Sequence, residues 1–382
     1  MKITGIIAEY NPLHAGHIYH INETRRLTGC DYIVCVMGGS LTQRGRFAVM
    51  DKFVRARMAL EAGADAVIEL PAVYACAPAN IFAFGGVSIL DAIKADFISF
   101  GCETDDLNAL YSALALSRGE SALIKQGLNE GKSYPRALGE AISARDERLG
   151  ELMGLPNFTL ALEYISALEA LSSDIKPVVV GRTSAYHGEG VYSASGVREL
   201  LNAGKTDEAL LKLPESIQKL YLSELETGLS RPELLDAHIL TVLRSVSPQS
   251  VPGPDAGEGL IDRIKNTARA SASVNELIEG VKCKRYTRAR IERAITAACL
   301  ALPNAPAKIP YLRLLGAKKE ASHLIKELSL RSGGLLSGDP TKLIGNPYFE
   351  AECRATDLRG LTTQSPLYRR QGRELTSGFV SV

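Results

Sequence analysis

Hydrophobic and polar positions along the first hundred residues alternate between two periods. Four short apolar runs have the length and composition of strands: Ile3–Ala8, Tyr32–Met37, Ala66–Leu70 and Phe97–Phe100. Segments with helical spacing of apolar residues lie between them: Gly16–Leu27, Lys52–Ala62 and Ala79–Ile93. Strands that alternate with helices at about thirty-residue spacing are typical of right-handed βαβ units. The pattern therefore predicts an α/β fold with a parallel, doubly wound sheet.

The remainder of the chain is predicted to be mostly helical. Residues 105–172 read as a helical insertion before a fifth strand at Pro177–Gly181, so a first domain is expected over residues 1–205. A second, mainly helical domain is expected over residues 206–382. Its predicted helices are Ile217–Leu225, Arg231–Val246, Ile261–Ala270 and Arg288–Leu300. Residues from about 330 onward have too weak a pattern for a prediction.

Composition and charge narrow the class of protein. The 382 residues are 46% hydrophobic, no apolar run has the length of a membrane span, and the seven cysteines are scattered. These features predict a cytoplasmic protein with reduced cysteines and no membrane partner. The net charge of +1 conceals an asymmetry, because residues 281–382 carry 18 basic and 8 acidic side chains. A basic C-terminal region favours a polyanionic partner.

The junction after the first strand carries a histidine motif, His14-Ala-Gly16-His17, with His20 three residues further on. A strand that enters a helix through a tight loop offers backbone N–H groups and a helix dipole to phosphate. His14 and His17 fall on one face of the first turn and can both donate to phosphate oxygens. We therefore predict that they are catalytic groups of a nucleoside triphosphate site. The alternative is two packed or solvated histidines, and a zinc site lacks a third ligand at suitable spacing.

Polar clusters follow the other predicted strands as well. They are the flexible basic loop Gly38–Arg46, Glu69–Pro71, Gly101–Glu103 and Arg182. Ligands of parallel α/β sheets bind at the carboxyl ends of the strands, so these clusters predict one pocket. Ser193 and Ser195, with Arg198 one turn later, open a further helix. They are either an ordinary N-cap or a second phosphate site.

A basic segment lies near residue 290. It contains Lys282, Lys284, Arg285, Arg288, Arg290 and Arg293, with Glu292 as its single acidic residue and Tyr286 as a possible stacking ring. Contact with the phosphates of RNA fits this mixture. A solvated helix face is the alternative.

Several longer motifs point to one family. They are Glu9-Tyr-Asn-Pro-x-His-x-Gly-His17, Gln43-Arg-Gly45, Gly63-Ala-Asp-x-Val-Ile-Glu-Leu-Pro71, Phe100-Gly-x-Glu103, Leu155-Pro-Asn157 and Lys284-Arg-Tyr-Thr-Arg288. Together they resemble the tRNA(Met) cytidine acetate ligase family of the nucleotidyltransferase-like superfamily. The resemblance implies a Rossmann-like nucleotidyltransferase domain followed by a tRNA-binding domain. It implies ATP contacts from Ile7, Ala8, Glu9, Tyr10, Asn11, Pro12, Leu13, His14, Ala15, Gly16, His17, Ile18, Tyr19, His20, Gly101, Asn157 and Arg182, to which we add Ser193 and Ser195 from the helix start.

The same resemblance implies a reaction. ATP and acetate would form acetyl-AMP, which would acetylate N4 of the wobble cytidine of elongator tRNA(Met), with Mg²⁺ as the expected ion. This chain departs from the family pattern at Leu13, Ala15, Cys102 and Gly196, but none of these positions is one of the two motif histidines. Two other functions remain open: a small-molecule adenylyltransferase, and a tRNA-binding protein without catalysis.

Overall fold

The structure is a computed structural model that describes residues 1–181, 193–247 and 255–382. Its strands are β1 (Ile3–Ala8), β2 (Tyr32–Gly38), β3 (Ala66–Leu70), β4 (Phe97–Cys102), β5 (Lys176–Gly181), β6 (Leu312–Ala317), β7 (Leu336–Ser337) and β8 (Val380–Ser381). Its helices up to residue 202 are α1 (Ala15–Thr28), α2 (Lys52–Glu61), α3 (Ala72–Ala75), α4 (Ala79–Ala92), α5 (Leu107–Gly119), α6 (Ser121–Asn129), α7 (Tyr134–Ser143), α8 (Glu147–Met153), α9 (Pro156–Ala170) and α10 (Ala194–Asn202). The later helices are α11 (Thr206–Leu210), α12 (Glu215–Leu225), α13 (Asp236–Ser245), α14 (Leu260–Ala268), α15 (Val274–Val281), α16 (Arg288–Leu300), α17 (Ser322–Arg331), α18 (Pro347–Leu361) and α19 (Arg373–Thr376).

The predicted parallel sheet is confirmed. The strand order is β5-β4-β1-β2-β3-β6-β7, and β1 to β5 run parallel to one another. The chain order reverses between β1 and β4, so the crevice at their carboxyl ends is the position where such sheets bind ligands. Within the described ranges, no helix is long and apolar enough to cross a membrane.

Both faces of the sheet are covered by helices. Ile3 and Ile7 of β1 pack in one core with residues of α4 and α9, whereas Ile6 packs in the other with residues of α1 and α2. Adjacent strand residues point to opposite faces, so a strand buried on both sides must be apolar throughout. This requirement explains why the continuous apolar runs of the sequence became strands.

Three strands of this sheet, β6, β7 and β8, were not foreseen. β6 comes from the C-terminal part of the chain and pairs antiparallel with β3, with Leu314 opposite Ile68. Helices α13 to α16 form a separate hydrophobic cluster; α13, α14 and α16 match predicted helices, whereas α15 was not predicted. The boundary predicted near residue 205 stays a prediction. Strand β6 joins the C-terminal part of the chain to the sheet formed by the N-terminal part.

A group of charged side chains is buried where the C-terminal helices reach the sheet. Lys52 of α2 has no exposed side-chain area, and its ammonium group contacts the carboxylates of Glu69, Glu352 and Glu374. Arg313 of β6 pairs with Glu69 at 3.3 Å and also contacts Glu374. Although three carboxylates could hold a metal ion, the cation among them here is the Lys52 ammonium group. We name these five residues the buried charge cluster.

We expect the free energy of unfolding to fall with rising pH because of Glu69. Burial, assisted by the Glu352 carboxylate, raises the pKa of Glu69 from 4.5 to about 7. Between these values the folded protein retains a proton that the unfolded chain releases, so the contribution is complete below pH 4.5 and is lost as the pH rises through about 7. Urea unfolding of the wild type and of Glu69→Gln across this interval measures the effect. The difference between the free energies of unfolding of the two proteins should change with pH. Parallel curves of free energy against pH would contradict the assignment.

Candidate active site

The two motif histidines meet at the start of α1. His14 is the N-cap residue in extended conformation, and His17 lies in the first turn. The backbone N–H of His14 donates to Nδ1 of His17 at 3.2 Å, and the two rings stack with centroids 3.7 Å apart. Because Nδ1 accepts this bond, the neutral His17 ring carries its proton on Nε2. The ring is therefore held as a hydrogen-bond donor at a helix N-terminus.

Tyr10 supports this arrangement from the end of β1. Its ring meets His17 edge-on, with centroids 4.9 Å apart and planes at 84°. The phenol oxygen lies 3.2 Å from the thiol of Cys35 on β2, and burial raises the pKa of Tyr10 well above its ordinary value. Tyr10 is therefore a neutral positioning residue for the imidazole.

A cavity of about 880 Å³ opens at the carboxyl ends of β1 and β4. Most of the residues predicted to bind ATP line it: Ile7, Ala8, Glu9, Tyr10, Asn11, His14, Gly16, His17, Tyr19, His20, Gly101, Asn157, Ser193 and Ser195. Pro12, Leu13, Ala15 and Ile18 are not among the lining residues, and Leu13 is fully buried in the core. Arg182 lies outside the described residues. Contact of each residue with ATP stays a prediction, but the structure brings most of the set to one cavity.

The β4 side of the cavity is arranged around Glu103. Oε1 of Glu103 accepts from both the backbone N–H and the Nδ2 amide of Asn157, at 3.2 and 2.7 Å. This pairing leaves the amide oxygen of Asn157 as the acceptor toward other groups. A Cβ atom at Gly101 would meet nothing nearer than Val180 O at 4.0 Å, so the glycine keeps space open beside the strand. Glu103 is thus a positioning residue that the sequence offered only as part of a motif.

The start of α10 lines the same cavity. Ser193 Oγ accepts a hydrogen bond from the Gly196 N–H at 3.0 Å. Ser193 is therefore the N-cap of α10, which is one of the two alternatives that the sequence left open. Ser195 Oγ lies 3.4 Å from Ser193 Oγ, and both residues face the cavity. Arg198 donates to the carbonyl oxygen of Asn11, which joins α10 to the β1–α1 loop. Two helix N-termini therefore border one cavity, an arrangement suited to a polyphosphate.

Comparison with known proteins agrees with this geometry. The chain matches the HIGH Nucleotidyl Transferase family over residues 1–374. It is 31% identical to the tRNA(Met) cytidine acetate ligase of Acetivibrio thermocellus over 100% of both chains, and 33% identical to that of Caldanaerobacter subterraneus over 94% of both. The chain belongs to the tRNA(Met) cytidine acetate ligase family. The family predicted from the motifs is thereby confirmed.

Solved structures give the same result for the fold. A crystal structure of Thermotoga maritima TmcAL bound with alpha-thio ATP matches with a TM-score of 0.89 at 27% identity over 100% of both chains. The apo form of the same protein matches with a TM-score of 0.91 at 26% identity, again over 100% of both chains. The nucleotidyltransferase-like fold predicted from the sequence is confirmed.

The loop after β2 differs from its prediction as a flexible loop. Leu41 and Phe47 form an antiparallel bridge, so residues 40–48 make a tight hairpin that we call the rim hairpin. Thr42 N donates to Arg46 O and Gly45 N donates to Thr42 O, both at 2.9 Å. The φ of +82° at Gly45 closes the turn in the left-handed region that glycine adopts readily. Gly45 therefore belongs to a defined, hydrogen-bonded turn and not to a flexible loop.

Glu9 connects the end of β1 to this hairpin. Its Oε1 accepts from the backbone N–H of Gln43 at 2.6 Å. Burial raises the pKa of Glu9 above its ordinary value, although the Gln43 N–H and the nearby guanidinium groups of Arg55, Arg44 and Arg198 act in the opposite direction. A partly desolvated carboxylate thus lies among arginines beside the histidine pair.

The predicted RNA-binding segment divides into two classes. Lys282, Lys284 and Arg285 are exposed. Within the described residues, Lys282 and Arg285 form only long ion pairs, with Glu279 at 3.8 Å and with Glu258 at 3.9 Å. Arg288 instead bridges Glu279 and Glu292, at 2.6 and 2.9 Å, and Arg293 is buried against Asp255 at 2.6 Å.

These ion pairs favour structural roles for the second class, and Arg290 belongs to it because it pairs with Glu258 at 3.0 Å. Tyr286 is only 7% exposed and donates to Glu258 O, so its predicted stacking role is wrong. The phenol and the paired arginines fasten α16 to neighbouring segments. RNA contact by all six basic residues stays a prediction, and the exposed three fit it best.

Proposed function

We propose that this protein joins acetate to N4 of the wobble cytidine of elongator tRNA(Met), with ATP as the energy source and acetyl-AMP as the intermediate. The observation that carries the proposal is the pair His14 and His17 at a helix N-terminus that faces the cavity. The family membership supports it, since relatives that match along the full chain are named tRNA(Met) cytidine acetate ligase. We infer a cytoplasmic location because the proposed substrate is a tRNA.

In the first half-reaction a carboxylate oxygen of acetate attacks the α-phosphorus of ATP. The bond between the α-phosphorus and the oxygen that bridges it to the β-phosphorus breaks, and pyrophosphate leaves with the electron pair of that bond. The Nε2–H of His17 and the N-termini of α1 and α10 stabilise the charge that builds on the phosphate oxygens. Preorganised donors of this kind require little rearrangement at the moment of reaction, which suits a reaction whose main demand is electrostatic.

In the second half-reaction the N4 amine of cytidine attacks the acetyl carbonyl carbon. The new C–N bond forms, AMP leaves with the anhydride oxygen, and the amine loses one proton. The base must leave its stack to reach the cavity, as in other enzymes that modify nucleobases. No covalent link between acetyl group and protein is needed, because acetyl-AMP is already activated.

Magnesium is compatible with the cavity. Among the described lining residues, Glu9 and Glu199 are the carboxylates. Mg²⁺ at nucleotide sites takes one or two carboxylates together with substrate phosphates and water. Glu9 would hold the ion, which when bound neutralises charge on the triphosphate.

Two assays test the proposal against its alternatives. Incubation of tRNA with ATP and acetate, followed by mass analysis of its nucleosides, should reveal N4-acetylcytidine. ATP–pyrophosphate exchange should depend on acetate. Exchange that requires another small molecule would favour an adenylyltransferase. Absence of exchange with retained tRNA binding would favour a protein without catalysis.

The exposed part of the basic segment gives a further prediction. Replacing Lys282, Lys284 and Arg285 with Glu should weaken tRNA binding strongly and make its salt dependence shallower by about one unit per lost phosphate contact. Pyrophosphate exchange should change little, since these residues do not line the cavity.

The matched control applies the same charge reversals elsewhere. Arg57, Lys125 and Lys326 are exposed residues outside the cavity lining and the basic segment. Filter binding over a series of salt concentrations compares the two triple variants. Equal losses in both would mean that net charge alone governs binding, and the segment would then be a solvated face.

A further inference from the structure

Arg44 lies at the rim of the cavity and forms no hydrogen bond or ion pair within the described part of the chain, although the Glu9 carboxylate is near enough to interact with its charge. It is exposed, lines the cavity and occupies the tip of the rim hairpin. Its neighbours differ: Arg46 forms two hydrogen bonds with Glu292, at 2.9 and 2.8 Å, and Arg293 forms two with Asp255. No hydrogen bond or ion pair joins Arg44 to any of the described residues. The rim hairpin therefore exposes one arginine whose N–H donors remain available to a ligand.

The hairpin tip is fixed on both sides of Arg44. The backbone N–H of Gln43 is bonded to Glu9, and its carbonyl oxygen accepts from Arg293 at 3.3 Å. The Gly45 carbonyl oxygen accepts from Thr296 Oγ1 of α16 at 2.6 Å. A Cβ atom at residue 45 would lie 2.4 Å from the Arg293 backbone nitrogen, so the turn rests directly on α16. Fixing the backbone in this way reduces the entropy lost when the side chain binds a ligand.

Positive charge is concentrated around this position. Arg44, Arg46 and Arg198 all line the cavity. Burial lowers the pKa of Arg198, repulsion from Arg46 and Arg44 lowers it further, and the Glu9 and Glu199 carboxylates act in the opposite direction. Clustered guanidinium groups repel, and an anion bound among them relieves the repulsion. Phosphate is an anion that arginine binds through paired N–H donors.

We propose that Arg44 binds a backbone phosphate of the RNA strand whose base enters the cavity. The inference rests on the proposed function. A nucleotide inserted into a cavity leaves its flanking phosphates at the mouth, where the exposed Arg44 lies. The ATP phosphates belong instead to the N-termini of α1 and α10. The hairpin also rests on α16, the helix that follows the exposed basic residues, so one RNA strand can reach both.

The test compares Arg44→Ala with Arg57→Ala, which removes an exposed arginine outside the cavity lining. Arg44→Ala should weaken tRNA binding by about tenfold or more, as expected for one lost charge-assisted hydrogen bond. It should also reduce the salt slope by about one unit. Arg44→Lys should restore the slope, because lysine keeps the charge. Arg57→Ala should behave as the wild type, and equal thermal unfolding of all variants checks the fold.

A second arm separates RNA phosphate from ATP phosphate. In Arg44→Ala, the KM for ATP in acetate-dependent pyrophosphate exchange should change by a smaller factor than the affinity for tRNA. A larger change in the KM for ATP than in the tRNA affinity would overturn the assignment to RNA. If the wild type acetylates tRNA but Arg44→Ala binds tRNA with unaltered affinity and salt slope, the role of Arg44 is overturned and the proposed function stands. A wild-type protein that neither binds nor acetylates tRNA would overturn the proposed function together with it.

Discussion

His17→Asn should lower acetate-dependent pyrophosphate exchange by about 100-fold or more, the effect expected from losing one transition-state donor. The side-chain oxygen of Asn can replace Nδ1 as acceptor for the His14 backbone N–H, so the start of α1 is preserved. The donor at Nε2 is lost. His17→Ala should show the same loss in rate, with an additional loss of stability because the capping bond disappears.

The control is an exposed histidine far along the chain. His323→Asn changes the same residue type in α17, outside the cavity lining, and should leave exchange unaltered. Thermal unfolding of His17→Asn should stay close to that of the wild type. Full exchange activity in His17→Asn would refute a role for the Nε2 donor in the chemistry, whatever the stability.

His14 requires a different interpretation of the same measurement. The His14 side chain is only 8% exposed and stacks on His17, so His14→Ala removes packing as well as a polar group. We expect loss of both exchange activity and stability there. The His17→Asn variant is therefore the sharper test.

The sequence predicted those parts of the fold that depend on local pattern. The strands β1 to β4 are apolar runs that separate amphipathic helices, and their parallel arrangement follows from the βαβ rule. Strand β6 escaped prediction for a physical reason. Its partner β3 lies far away in the chain, as the pairing of Leu314 with Ile68 illustrates, and no local periodicity encodes such a contact.

The same distinction applies to the site. His14, His17 and their helix start are consecutive in sequence, so their proximity could be predicted from spacing alone. The stiffness of the rim hairpin could not, because the bonds that fix it come from Glu9 on one side and Thr296 on the other. Glycine and arginine in the segment Gly38–Arg46 suggested mobility, whereas distant partners make it rigid.

Lys52 is the clearest case of a residue whose role depends on distant partners. From the sequence it is one charged position of an amphipathic helix. In the structure it is fully buried and contacts Glu69 of β3, Glu352 of α18 and Glu374 of α19. Burial alone would lower the pKa of Lys52, but the three carboxylates raise it, so the ammonium group stays charged. Two of these carboxylates belong to the C-terminal helices, which the lysine therefore holds against the sheet.

Lys52→Met should reduce the free energy of unfolding by about 3–5 kcal/mol, the range found when one partner of a buried ion pair is removed. Methionine fills similar space, so the loss reports charge more than volume. Three buried carboxylates would remain with Arg313 alone, and the segment that carries α18 and α19 should become the first site of proteolysis. Lys326→Met, at an exposed position of α17, should stay within about 0.5 kcal/mol of the wild type.

Adding Glu352→Gln to Lys52→Met removes one of the uncompensated charges, so the double variant should recover part of the loss. Urea unfolding gives the free energies, and limited proteolysis gives the site of opening. Additive losses in the double variant would show that Lys52 and Glu352 act independently, which the 3.0 Å contact between their charged atoms argues against. Recovery would instead identify electrostatic compensation as the force that holds the C-terminal helices to the nucleotide-binding sheet.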